Sequence, residues 1–213
     1  MTASLKEKNR RQLWVIIAAN LLVLHTLIQE SALQIAGLRA LLSLATSLLP
    51  VGLAGFAAVV LNGLLSADLK ARTVWFWRRK DVLPGHRAFT HYAKVDPRVD
   101  VANLRKAYGA ALPTDPSEQN RGWYKLYKTV DEIPAVLQVH RDFLLLRDYT
   151  GLAVLFLVFL GAAGLYAIPS RKVAVLYLLG LLLQYVLARQ AAATYGARLV
   201  TTVLARVAPV KPG

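Results

Sequence analysis

Three of the four histidines, His86, His91 and His140, fall between residues 86 and 140, with Asp96 and Asp100 among them. Imidazole beside carboxylate is the material of acid–base catalysis and of hydrolytic metal sites. The spacing fits no strong metal motif, so neither a metal nor a cofactor is expected, and His86, His91 and Asp96 stand as the catalytic candidates. The chain has no cysteine, which excludes disulfides, thiolate metal ligands and cysteine nucleophiles.

A second group mixes cations with aromatic rings. Arg121, Trp123, Tyr124, Lys125, Tyr127 and Lys128 lie within two helical turns. Trp123 and Tyr127, four apart, share a face and suit core packing, while the cations beside them suit a phosphate-bearing ligand or a protein partner. Arg78, Arg79, Lys80 and Arg147 lie next to apolar stretches and are expected at the membrane surface. A third group is polar but surrounded by apolar sequence: Asn20, His25, Asn62 and Gln184. In lipid such side chains pack helices together or line a polar path. Ala54, Ala58, Asn62 and Ser66 recur at four-residue intervals, as in close helix contacts.

Two short patterns resemble known enzymes. His91 and Asp96, with four residues between them, resemble the histidine–aspartate pair of glycerolipid acyltransferases, which implies chemistry on a lipid headgroup; the companion glycine-rich motif is absent. His140-Arg141-Asp142 is similar to the catalytic tripeptide of protein kinases, but the glycine-rich loop, the strand lysine and the Asp-Phe-Gly are missing. No Walker loop, dinucleotide fingerprint, Gly-x-Ser-x-Gly or His-Glu-x-x-His occurs.

The elements that must carry these residues are helices. The 213 residues are 56% hydrophobic, with a mean hydropathy of +0.42, yet the charges cluster and leave long stretches nearly bare of them. Four apolar runs follow: Trp14 to Ile28, Leu38 to Leu65, Tyr149 to Ile168 and Val173 to Leu187. The second, of about 28 residues, is near 42 Å as a helix against a hydrocarbon core of about 30 Å, and Pro50 is its expected kink. Past it, Leu69, Val74, Trp75 and Trp77 alternate with cations as in an interfacial helix. Between Asp81 and Ile133 the turn signals are dense, with helices expected from Asp100 to Tyr108, closed by Gly109, and from Ser117 to Val130. From Pro134 no proline intervenes until Pro169, so one continuous helix is expected from the insert into the third span.

These readings describe an all-α membrane protein with four transmembrane helices in two hairpins flanking a small helical cytoplasmic insert. The parts are a cytoplasmic N-terminus (1–12), a hairpin (13–66), a basic insert (67–148), a second hairpin (149–188) and a cytoplasmic amphipathic tail (189–213). Of the 26 Lys and Arg, 23 fall on the side holding both termini and the insert and three on the other. The positive-inside rule therefore sets both termini in the cytoplasm, in a cell's inner membrane. The net charge of +14 is absorbed by that asymmetry, and direct nucleic-acid binding is not expected. No Asp or Glu lies inside a span, against ion-coupled transport. The expected function is a non-enzymatic membrane module: an oligomeric pore, a membrane-perturbing effector as in bacterial defence systems, or an anchor, controlled by its insert. The lipid bilayer and further copies of the chain are its expected partners. The alternative is a membrane-embedded enzyme acting on lipid headgroups through the histidines of the insert.

Overall fold

The computed structural model describes residues 5–36, 55, 57–76 and 83–210. Among them the chain is helical, apart from turns and one isolated antiparallel bridge between Val99 and Pro209. The helices are α1 (Leu5–Ala36), α2 (57–64), α3 (Ala67–Val74), α4 (Ala93–Val95), α5 (Val101–Tyr108), α6 (Pro116–Val130), α7 (Pro134–Leu155), α8 (Gly161–Ala167) and α9 (Arg171–Val207). Three helical stretches are long and apolar enough to cross a membrane: Asn9–Gln29, Pro134–Ala167 and Arg171–Val207. Most of the expected second span, with Pro50 and Ala54, and the cations Arg78, Arg79 and Lys80 lie outside the described residues.

The chain forms two compact units. The first comprises residues 1–66 and 148–189, the second residues 67–147 and 190–213. In the first, Ile17, Leu21 and Leu24 of α1 form a core with Leu152 and Phe156 and with Ala174, Tyr177 and Leu181 of α9; Ala58 and Val59 of α2 pack at its edge. Gly161 and Gly164 meet Leu178 and Tyr177 at close range. A π-helical turn at Phe156–Leu160 joins α7 to α8, so that Pro134–Ala167 stays helical throughout. Leu179, Leu182, Leu183 and Leu187 of α9 point away from the core and are exposed, as suits a surface that faces lipid.

The second unit has an inward-facing core. Val74 and Trp75, Phe89, Leu104, Trp123 and Leu126, Val136 and Phe143 surround Leu199, Val200, Val203 and Leu204 of α9. Its local signals are capping residues. Asp100 accepts from the backbone N–H of Ala102 and Asn103 to open α5, and Gly109, at φ 76°, closes it. Asp115 does the same for α6 through Ser117 and Glu118, and Pro134 begins α7.

Residues 190–207, expected as an amphipathic tail, continue α9 without a break and supply residues of this core. Beyond them, Asp100 N donates to Ala208 O and Val210 N to Arg98 O, tying the chain end to the insert. The amphipathic pattern after Ser66 also divides differently: Val74 and Trp75 are core residues, whereas Leu69 and Phe76 are exposed.

Leu204 is fully buried and Arg206, one half-turn on, is exposed. Leu204→Ala is expected to cost about 2–5 kcal/mol, and Arg206→Ala about 0.5 kcal/mol or less. Near-UV circular dichroism of the full chain unfolding in detergent reads the difference.

Candidate functional site

The site grows from an irregular stretch held by two amides. Residues 84–92 form a 3₁₀ turn (Pro84–Arg87) followed by a π turn (Ala88–Tyr92), and such turns leave backbone donors without the regular helical partners. Gln119 of α6, 1% exposed, supplies acceptors: its Oε1 takes the N–H of Phe89 (3.0 Å) and of Thr90 (3.0 Å) and the Thr90 hydroxyl (3.1 Å). Its Nε2 donates to Thr114 O at 2.8 Å, which fixes the amide's orientation. Asn120 Oδ1 accepts from Gly85 N at 3.1 Å. A Cβ at residue 85 would sit 2.8 Å from the Trp123 ring, so only glycine lets the backbone lie on that indole.

That contact brings the aromatic residues of α6 against α7. Trp123 and Tyr127 are stacked 5.8 Å apart, Tyr124 and Tyr127 5.7 Å apart. Tyr127 OH lies 2.9 Å from His140 Nδ1. Burial pushes the Tyr127 phenol up from its ordinary range, so it stays protonated. A cavity of about 240 Å³ opens here, lined by Trp123, Tyr124, Tyr127, His140, Phe143 and Leu144, with Leu83, Pro84, Asn120, Leu199 and Arg147 completing the wall. Trp123 is 5% exposed, and its Nε1–H has no hydrogen-bond partner among the described residues.

The expected ligand cluster therefore divides. Trp123, Tyr124 and Tyr127 line the cavity, whereas Arg121, Lys125 and Lys128 do not. Lys128 instead pairs with Asp131 at 2.9 Å, which holds its ammonium above the usual lysine range. Phe143, Leu144, Leu83 and Leu199 meet the three rings only through packing; Arg147, expected at the membrane surface, also lines the wall.

The catalytic candidates stand apart in role. His86 is buried, and its Nδ1 donates to Leu83 O at 2.7 Å. His91 is exposed, edge-on to Tyr92. Asp96 is committed to Arg98: Oδ1 accepts from Arg98 N (3.0 Å) and Nε (2.9 Å), and Oδ2 from Nη2 (2.6 Å). In the kinase-like tripeptide, His140 meets Tyr127, and Asp142 accepts from Gln138 at 3.0 Å. Among the described residues no three His, Asp or Glu gather to hold a metal ion.

In the first unit, Asn20 and Gln184 line one groove of about 510 Å³ with Tyr177 and Gly180. Asn20 Nδ2 donates to Ile16 O at 2.9 Å, and Gln184 Nε2 to Tyr149 OH at 2.9 Å. His25 is half-buried. Asn62 is 7% exposed, and its Oδ1 has no hydrogen-bond partner among the described residues. Ala58 is half-buried against the same core.

The Arg98 guanidinium lowers Asp96 to about 2. A depressed carboxylate contributes stability above its unfolded pKa of about 3.9, and that contribution fades as pH falls toward 2. The melting temperature of the full chain should thus drop between about pH 4 and pH 2, with a smaller drop in Asp96→Asn. Comparison with protein-family models, curated proteins and solved structures finds no match, so the chain's own geometry carries the functional reading.

Proposed function

We propose that the chain is a non-enzymatic integral membrane module, an oligomeric pore or membrane-perturbing effector controlled by its cytoplasmic unit. Four spans in two hairpins, 13–66 and 149–188, anchor it in an inner membrane with both termini in the cytoplasm. Residues 67–148, joined by the tail, receive a phosphate-bearing ligand or a protein and act on the spans through the chain itself.

The observation that carries this reading is where the chain passes between units. At residues 147 to 148 it does so inside α7, and at residues 189 to 190 inside α9, both times without a loop. A helix resists bending because each turn is hydrogen-bonded to the next, so a displacement at one end is not absorbed on the way. Covering exposed leucines with lipid accounts for the outward apolar face of α9. Asn62 is buried, and an amide in lipid packs against a polar partner on another helix.

An enzyme acting on lipid headgroups through His86, His91 and Asp96 finds less support. Asp96 is held by Arg98, and His86 Nδ1 donates to Leu83 O. The proposal is tested on protein purified in detergent and reconstituted in vesicles. Mass measurement is expected to give a stable multimer, and dye release from vesicles should follow its presence. Asn62→Leu should lower the multimer fraction and the release together, while His91→Ala leaves both unchanged. A monomer that releases no dye contradicts the proposal.

A further inference from the structure

We infer that the cavity of the second unit is a binding site for a phosphate attached to an apolar or aromatic body. The inference rests on the module reading for its setting and adds the chemistry of what is received.

The wall offers two kinds of surface. Trp123, Tyr124, Tyr127 and Phe143 present ring faces and edges, and rings of this kind take a flat base or an acyl chain without directional demands. Beside the Tyr124 and Tyr127 hydroxyls and His140, the lining residues carry three kinds of N–H donor. Trp123 Nε1–H is buried with no partner among the described residues, an arrangement that costs free energy until an acceptor arrives. Asn120 spends its oxygen on Gly85 N, which leaves its NH₂ as the group it offers. Arg147 adds a guanidinium, whose planar fork suits phosphate oxygens. Among the described residues no Asp or Glu lines the cavity. N–H donors and a guanidinium on aromatic walls select an anion rich in acceptors.

The volume of about 240 Å³ admits a headgroup or a base with its phosphate, not a folded partner. Arg147 lies two residues before the apolar stretch that begins at Tyr149, so a lipid phosphate and a soluble phosphate can both reach it. The shared chemistry is the phosphate, and the source is decided by experiment.

The test uses the full chain in nonionic detergent, with binding read by native mass spectrometry and calorimetry. Two probes are compared, dioctanoyl phosphatidic acid and adenosine monophosphate, each against its phosphate-free counterpart, dioctanoylglycerol and adenosine. Trp123→Phe keeps a ring but deletes the donor; Arg147→Gln deletes the charge. One phosphate probe should bind and its counterpart should not, with affinity falling about tenfold or more in each variant. Binding of the lipid probe assigns a membrane source, and binding of the nucleotide a soluble one; either supports the site. Binding by neither, equal binding of the phosphate-free counterparts, or binding that survives both substitutions overturns it. Thermal melts of the two variants guard against misfolding: should Trp123→Phe unfold, Arg147→Gln decides. Because the readout is equilibrium binding, its failure is separable from failure of the module reading, which is read by assembly and dye release.

Discussion

A single helix that serves two solvents must turn its apolar side outward in one and inward in the other, and α9 does both. Near its start, Leu179, Leu183 and Leu187 are 53%, 58% and 61% exposed; near its end, Leu199, Val200, Val203 and Leu204 are at most 2% exposed. At 37 residues it is about 55 Å long, well beyond a hydrocarbon core of about 30 Å. The backbone can ignore the change because a helix satisfies its own hydrogen bonds along its interior. The side chains cannot: the exposed leucines near its start suit lipid, and the buried residues near its end pack in protein. Most of the second unit's core is arranged around the inward-facing end.

The cavity depends on that core in turn. Residues 84–92 are too irregular to satisfy themselves, and Gln119 and Asn120 supply the missing acceptors from α6. Only with that stretch in place does Gly85 lie on Trp123, and only then do Leu83 and Pro84 wall off the rings from one side. A buried amide with its partners satisfied specifies one arrangement, since any other leaves several donors without water or protein. The same reasoning makes the unpartnered indole Nε1–H conspicuous.

Local structure was legible where one residue type does one job. Asp100, Asp115, Gly109 and Pro134 cap or start helices from within a few residues, and the predicted boundaries fall within one residue of those observed. The tail was not legible for the opposite reason. Ala188, Ala192 and Gly196 read equally well as a small-residue membrane contact or as the tight face of a soluble core, and Gly196 lies 3.0 Å, at its ideal Cβ, from Trp75. Nothing in the periodicity separates those two solvents. The cavity was half visible: Trp123 and Tyr127 share a helix face, but Phe143, Leu199 and Leu83 meet them only through tertiary packing, and Arg147 carried a competing reading at the membrane surface.

The central claim is that the basic insert and both termini share one side of the membrane while the turn before α9 lies on the other. The chain has no cysteine, so single substitutions give a clean labelling background. Ser117 and Ser170 are both exposed and suit Ser117→Cys and Ser170→Cys, treated in intact cells with a membrane-impermeant maleimide. The account predicts that Ser170→Cys is labelled from outside and Ser117→Cys only after lysis. Labelling of both from the same side would contradict it.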